Sequence, residues 1–213
     1  MLKKIILAAA VAVSAVFAQS PVNVGGRAAV DMGTFWGNDV ADAKWGLGFN
    51  AGVAAKMDFL PIISVVSGLE VDLRRVSDER TITQRGTEIK EESSLSMWYL
   101  DIPVMARFNL IPMFHADFGF VVGLNLAAIK NIDRSATVLG RTVEESESVS
   151  VSEEVATFDA GLIAGLGVSV IPGKLDVDFR ILLGLTSFDK PEEGDAADVK
   201  HMRLQLGATY WFL

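Results

Sequence analysis

The chain has 213 residues, which is the size of one domain with room for a leader. It contains no cysteine, so neither a disulfide framework nor a thiolate metal site is available. The formal net charge of −8 argues against a nucleic-acid partner, because phosphate binding needs a basic surface. Half of the residues are apolar although 22% are charged and 19 are glycines, so the chain has either a large core or an apolar surface facing lipid.

The first 18 residues have the pattern of a secretory signal peptide. Lys3 and Lys4 precede the apolar segment 5–17, and small residues at the −3 and −1 positions mark a cleavage site after Ala18. This segment is too short for a comfortable membrane span, which disfavours the alternative of an uncleaved anchor helix. No cysteine follows it, so a lipoprotein anchor is excluded. We therefore predict an exported protein whose signal peptide comprises residues 1–18.

From residue 20 onward the apolar side chains recur with a period of two. In segment 44–59 the odd positions, from Trp45 to Phe59, are apolar, and the even positions, from Lys44 to Asp58, are small, polar or charged. On a helix these two sets would mix around the circumference, so the segment is a strand. The same division recurs along the chain and predicts eight strands, near residues 22–35, 44–59, 63–75, 98–109, 114–126, 158–168, 175–185 and 203–212.

The connections between these strands alternate in length. Three short ones, at Leu60-Pro61-Ile62, Ile111-Pro112 and Ile171-Pro172-Gly173, contain proline, which cannot donate to a β-ladder. Four long polar ones lie at about 37–43, 77–93, 128–154 and 189–198. Short periplasmic turns and longer extracellular loops are the layout of bacterial outer-membrane barrels. Because the long segments are rich in Ser, Glu and Thr, we expect mobile loops there and no further domain.

Alternation alone does not decide which face points to lipid, because a soluble lipocalin-like carrier would turn its apolar face toward a ligand cavity. Three features favour the apolar face outward. The apolar faces are long enough for the roughly 9–11 residues of a tilted membrane strand. The opposite face is rich in glycine and in charges of both signs, which suits the crowded interior of a narrow barrel. Aromatic residues gather near the strand ends, where they suit the two bilayer interfaces. These are Phe35, Trp36, Trp45, Phe59, Trp98, Tyr99, Phe108, Phe114, Phe188, Tyr210, Trp211 and Phe212.

We therefore predict an all-β fold, an eight-stranded antiparallel up-and-down transmembrane β-barrel in the bacterial outer membrane. Residues 19–213 form this single outer-membrane β-barrel domain after the signal peptide.

Several segments of the chain resemble a known family. Tyr99-Leu100-Asp101-Ile102-Pro103-Val104 resembles the fourth strand of the PorT-like outer-membrane β-barrel domain family, which groups with OmpA- and OmpX-like eight-stranded barrels. Segment 158–167 resembles its sixth strand, and Leu182-Leu183-Gly184-Leu185-Thr186 its seventh. The C-terminal stretch with Tyr210 and Phe212 looks like the signal read by the barrel-assembly machinery, although Leu213 follows where such chains usually end. The resemblance implies the barrel fold and an interaction with that machinery during biogenesis.

The polar faces of the strands predict a cluster of charges inside the barrel. An eight-stranded barrel encloses little more than its own side chains, so these charges must pair, since an unpaired buried ion costs on the order of several kcal/mol. We predict a salt-bridged plug that fills the lumen, with a narrow selective channel as the alternative. The predicted interior charge cluster comprises Arg27, Asp31, Lys56, Glu70, Asp72, Arg74, Asp101, Arg107, Asp117, Asp159, Asp176, Asp178, Arg180 and Arg203.

No constellation of residues predicts catalysis, a metal or a cofactor. Carboxylates two residues apart, such as Glu70 and Asp72, share a face, but pairing with arginine accounts for them. His115 and His201 lie near opposite ends of their strands and cannot form one metal site. His201 near Asp198 lacks a serine that would complete a hydrolytic triad. We expect a protein that is not an enzyme and needs no cofactor.

The predicted function is a role in envelope integrity or in surface interaction through acidic extracellular loops. Acidic residues outnumber basic ones in segments 77–93 and 128–154. The expected partners are outer-membrane lipid and lipopolysaccharide, whose phosphates divalent cations would bridge to the loops. The sequence leaves open an unidentified extracellular or periplasmic protein partner. The alternative functions are a small pore for solutes and a soluble lipocalin-like carrier.

Overall fold

The structure is a computed structural model, and it describes residues 22–37, 44–84, 87–138, 141–152, 155–187 and 199–212. The predicted signal peptide lies outside the described residues. The described part of the chain forms nine β-strands, which are β1 (Val22–Gly37), β2 (Lys44–Leu60), β3 (Ile63–Gln84), β4 (Thr87–Ile111), β5 (Phe114–Val138), β6 (Arg141–Ser150), β7 (Phe158–Ile171), β8 (Leu175–Gly184) and β9 (Val199–Trp211).

Eight of these strands close into an antiparallel barrel. Neighbours pair in the order β1, β2, β3, β4, β5, β7, β8, β9, and β9 returns to β1 with Ala208 opposite Ala28. Pairing between β4 and β5 completes the ring. The prediction of an eight-stranded antiparallel up-and-down barrel is confirmed.

The ninth strand belongs to a sheet that continues beyond the barrel. β5 pairs with β7 only up to Leu124, opposite Phe158. From Ile129 to Val138 its neighbour is β6 instead. β3 and β4 also stay paired to the end of their hairpin, at Gln84 and Thr87. We call the four-stranded sheet of residues 77–84, 87–96, 129–138 and 141–150 the outer extension.

The expectation of mobile loops at 77–93 and 128–154 is therefore wrong for most of these segments. The sequence of these segments does not alternate between apolar and polar residues. Their backbone groups nevertheless pair with those of the neighbouring strands, so they form a sheet. Of the other two predicted long loops, 37–43 lies outside the described residues except for Gly37, and 189–198 lies entirely outside them.

The three predicted tight turns lie together at the opposite end of the barrel. They join β2 to β3, β4 to β5 and β7 to β8 at Pro61, Pro112 and Pro172. Gly173 in the third turn has a φ of 72°, a left-handed conformation that favours glycine. The ends Val22 and Trp211 of the first and last strands lie at this same end.

The barrel strands turn their apolar residues outward and their charged residues inward. Leu166 on β7 is 65% exposed, whereas Asp159 on the same strand is 5% exposed. Phe118 and Asp117 show the same contrast on β5. This orientation excludes the lipocalin-like alternative, in which the apolar face would be enclosed. Among the described residues no helix has the length and apolarity to cross a membrane.

Two of the aromatic residues predicted at the bilayer interfaces instead lie inside the barrel. Tyr99 and Trp211 are almost fully buried, because they occupy inward positions of β4 and β9. The remaining strand-end aromatics mostly face outward and are exposed or half-buried. Phe35 is half-buried, and Phe188 lies outside the described residues.

Candidate functional site in the barrel lumen

The lumen collects nearly all of the predicted interior charges. Thirteen of the fourteen are buried, with at most 5% of each residue exposed. The exception is Lys56, which is half-buried and has its Nζ atom 5.2 Å from the centroid of the Trp211 ring. The buried charges form three groups along the barrel, which we call the outer, central and inner clusters.

The outer cluster lies toward the outer extension and is organised around Arg74. Its guanidinium donates to Asp159 at 2.5 Å and to both oxygens of Asp101 at 2.8 and 2.9 Å. Its Nε atom donates to Asp72 at 3.1 Å. The guanidinium carbon lies 3.8 Å from the Tyr99 ring centroid, a cation–π contact.

A second arginine, Arg203, lies on the other side of the outer cluster. It pairs with Asp72 and, at 3.3 Å, with Asp101. Asp31 completes the cluster and interacts electrostatically with both arginines. The outer cluster therefore contains two arginines and four buried carboxylates.

The central cluster joins β1, β3 and β8. Arg27 makes a bidentate pair with Asp178 at 2.6 and 3.0 Å, the geometry in which a guanidinium binds a carboxylate most specifically. Arg180 contacts the same carboxylate at 2.9 Å. Glu70 lies between the two arginines, 3.4 Å from Arg27 and 3.9 Å from Arg180.

The inner cluster lies toward the tight turns. Arg107 binds Asp117 in a bidentate pair at 2.8 and 2.9 Å and reaches Asp176 at 2.6 Å. Asp176 also accepts hydrogen bonds from the Ser169 hydroxyl at 2.6 Å and from the Trp211 indole at 2.9 Å. Three donors therefore surround the Asp176 carboxylate at the inner end of the lumen.

Glycines on neighbouring strands make room for these side chains. A Cβ atom at Gly207 would lie 2.5 Å from the Arg27 guanidinium. One at Gly123 would lie 2.5 Å from Asp101 and 3.2 Å from Arg74. At these two positions the side chains are packed to contact, which explains the glycines noted on the inner faces in the sequence.

Apolar residues complete the filling of the lumen. One buried group crosses the barrel interior and comprises Ala54, Val66, Met105, Val121, Ile163, Leu182 and Trp211. A second group lies at the outer mouth, where Met97, Tyr99 and Ala128 pack against Val151 and Val155. The segment after β6 is held there because Val151 N donates to Ala128 O at 3.0 Å. We call this second group the mouth cluster.

The two histidines lie in separate parts of the lumen. His115 is 4.0 Å from Asp117 in the inner cluster, and His201 packs against Phe35 and Tyr99 near the mouth. The prediction that they do not share a site is confirmed. Among the described residues no group of three or more His, Cys, Asp and Glu could hold a metal ion. Asp198 lies outside the described residues.

Sequence reasoning missed the uncharged members of the lumen. Trp211, Tyr99 and the mouth residues Val151 and Val155 contribute to its closure. The sequence does place Trp211 and Tyr99 on the inward face, because each is an even number of residues from an inward charge, Arg203 or Asp101. The preference of aromatic residues for the bilayer interface led to the opposite prediction.

A closed barrel with an apolar outer face and a charged, packed lumen defines a transmembrane β-barrel. The chain belongs to the family described as "Outer membrane protein beta-barrel domain", which matches residues 17–190. It is an integral protein of the bacterial outer membrane. The narrower resemblance to PorT-like proteins stays a prediction.

Solved structures of other outer-membrane proteins resemble this fold at low sequence identity. The attachment invasion locus protein Ail of Yersinia pestis, solved with the heparin analogue sucrose octasulfate, is 14% identical, with a TM-score of 0.44 over 90% of this chain and 99% of that one. Neisserial surface protein A is also 14% identical, with a TM-score of 0.43 and the same coverage. CarO2 of Acinetobacter baumannii is 10% identical, with a TM-score of 0.44 over 89% of this chain and 98% of that one. No curated protein matches the sequence.

Proposed function

We propose that the protein is a non-enzymatic outer-membrane barrel that acts at the cell surface through its outer extension. It would be exported by the leader at residues 1–18 and inserted by the barrel-assembly machinery, which would read Tyr210 and Phe212. Tyr210 on the last strand and Phe212 just after its end are exposed, with ring centroids 5.8 Å apart. They are therefore accessible to another protein.

The observation that carries this proposal is the continuation of four strands beyond the barrel. The extension is tied to the barrel by uninterrupted pairing, because β3, β4 and β5 are the same strands in both parts. A sheet held in this way presents its surface at a lower entropic cost than a free loop. The tight turns lie at the other end, so the usual layout of such barrels places the extension outside the cell.

The packed lumen also supports this proposal, because it disfavours a role for the barrel as a pore. Three ion-paired clusters and two apolar groups fill the barrel along its length. A solute path would require several of these contacts to break together. The part of the molecule with free surface for recognition is therefore the extension.

The acidic character of the extension suggests the class of partner. Its sequence carries an excess of carboxylates, and its exposed side chains include those of Asp133 and Glu147. We infer that it contributes to envelope integrity through divalent cations that bridge its carboxylates to lipopolysaccharide phosphates. Such bridging follows from the preference of Ca²⁺ and Mg²⁺ for oxygen ligands.

The test compares the wild-type protein with a variant in which Glu144, Glu145 and Glu147 are replaced by Gln. This change removes three carboxylates of the outer extension and alters none of the eight barrel strands. We expect equal amounts of folded protein in the outer membrane and a faster uptake of a hydrophobic dye by cells carrying the variant. Equal dye uptake, with equal folded protein, would contradict the proposal.

Conductance separates this function from the pore alternative. Purified protein in planar bilayers should show no steady single-channel current, because the clusters close the lumen. A stable, reproducible conductance would favour the pore instead.

A further inference from the structure

The charges buried in the lumen do not balance. Among the described residues, eight buried carboxylates face five buried arginines. The half-buried Lys56 reduces this excess of negative charge but does not remove it. Because an uncompensated ion in a closed interior is costly, the excess is relieved either by protonation of a carboxyl group or by a bound cation.

The excess is largest in the outer cluster. There the carboxylates of Asp31, Asp72, Asp101 and Asp159 meet the guanidinium groups of Arg74 and Arg203. In the central and inner clusters together, four carboxylates meet three arginines. A compensating positive charge is therefore expected in the outer cluster.

Unpaired oxygen atoms mark where that charge would bind. Both carboxylate oxygens of Asp31, Oδ1 of Asp72 and Oδ1 of Asn50 lack a hydrogen-bond partner, although each residue is at most 2% exposed. Gln205 lies opposite Asp31 on β9 and interacts with its carboxylate. Orphaned acceptors of this kind are rare in closed interiors.

The residues that carry these oxygens lie on three adjacent strands, and the strand register places them near one another. Asp31 on β1 lies opposite Gly48 on β2, and a Cβ atom at Gly48 would collide with the Asp31 carboxylate. The carboxylate thus lies over β2. Asn50 is the next inward residue of β2, and it lies directly opposite Asp72 on β3.

We propose that this place is a binding site for a divalent cation of the calcium type, with Asp31, Asn50 and Asp72 as ligands. Calcium takes carboxylate and amide oxygens together and fills its remaining positions with water. No sulfur and no imidazole contributes to this set, which disfavours softer metals. Two positive charges match the local excess of two carboxylates. Arg203 keeps Oδ2 of Asp72, which leaves Oδ1 for the cation.

The experiment measures unfolding of the full mature chain, refolded in lipid vesicles and stripped of metal with a chelator. Calcium should raise the urea midpoint in a saturable way, since a ligand that binds the folded state alone stabilises it. Sodium at the same ionic strength should not reproduce the shift. An absent or non-saturable calcium effect would overturn the proposal and would be explained by water at the site.

Two substitutions test the ligands in opposite directions. Asp31→Asn keeps the shape and removes one charge, so the metal-free protein should become more stable and the calcium shift should disappear. Asn50→Asp adds a carboxylate, so the metal-free protein should become less stable and half-saturation should occur at a lower calcium concentration. A calcium shift that stays unchanged in both variants would overturn the assignment.

A matched control separates this site from the acidic surface of the proposed function. Asp133→Asn makes the same chemical change on the exposed outer extension. It should leave the calcium shift as in the wild type. If Asp133→Asn abolishes the shift and Asp31→Asn does not, calcium binds the extension and the lumen site is refuted. The lumen site can hold even if neutralising the carboxylates of the extension has no effect on the envelope.

Discussion

Arg74 shows how much one side chain can depend on its surroundings in a closed lumen. Its guanidinium contacts three carboxylates and lies against the Tyr99 ring. Each contact satisfies a charge that has no access to water. A buried ion pair of this kind adds little net stability compared with a well-packed apolar core, but breaking it leaves its partners uncompensated.

We predict that Arg74→Met lowers the free energy of unfolding by about 3–5 kcal/mol, the usual cost of removing one partner from a buried ion pair. The control is Arg75→Met on the next, outward and exposed position of β3, which should change it by less than about 1 kcal/mol. Urea unfolding in lipid vesicles measures both. Equal losses for the two variants would mean that position 74 is not enclosed as described.

At the residue level, the sequence predicted which charges enter the lumen but not how they pair. Strand parity places Arg27 and Asp178 on inward faces, because it is a local property of each strand. Their bidentate contact across the barrel depends on how eight strands are staggered when they close. No pattern within a single strand encodes that stagger.

Among the elements, the tight turns are unusually apolar. Ile62 and Met113, in the first two turns, are 61% and 48% exposed, and Leu110, near the end of β4, is 63% exposed. They continue the apolar outer face of the strands, from Phe59 and Phe114, without a polar break. An apolar rim of this kind is costly in water, so we expect these turns to lie within the lipid interface.

Site-specific fluorescence tests the depth of the turns. The chain has no cysteine, so Ile62→Cys and Ser148→Cys each allow a single environment-sensitive label. The label at position 62 should have blue-shifted emission and resist quenching by aqueous iodide, whereas the label at position 148, on the exposed extension, should be quenched. Efficient iodide quenching at position 62 would place the turns in the periplasm.

The elements also show where sequence reasoning stops. The eight barrel strands follow from an apolar period of two, which lipid on one side and a packed lumen on the other impose on every strand. In segment 141–150 that period is absent, and the side chains that the structure describes there, from Ser146 to Ser150, are all exposed. Its strand conformation depends on backbone pairing with β5, which lies outside any single window of sequence.

For the whole molecule, closure is the property that matters most. Each barrel strand has a partner on both sides, so no pairing edge remains in the ring itself. The lumen contacts then link strands that are not neighbours, as Arg74 of β3 does with Asp159 of β7. Opening the ring at one seam would therefore break hydrogen bonds and ion pairs at the same time.

We predict from this cooperativity that the folded barrel withstands detergent at room temperature. In electrophoresis, an unboiled sample from an outer-membrane fraction should migrate differently from a boiled one. Boiling supplies the energy to open the ring and expose the chain to detergent. Identical migration of the two samples would argue against a closed barrel.

The change of partner along β5 has one more consequence. Among the described residues β6 pairs only with β5, so its far side presents backbone donors and acceptors that another extended chain could use. Neighbouring copies in a crowded membrane could in principle join there into ribbons. The run Glu144-Glu145-Ser146-Glu147 makes such self-association unfavourable, since like charges would meet across the new seam. We expect the acidity of this strand to disfavour pairing between copies and to favour a basic peptide at the same edge.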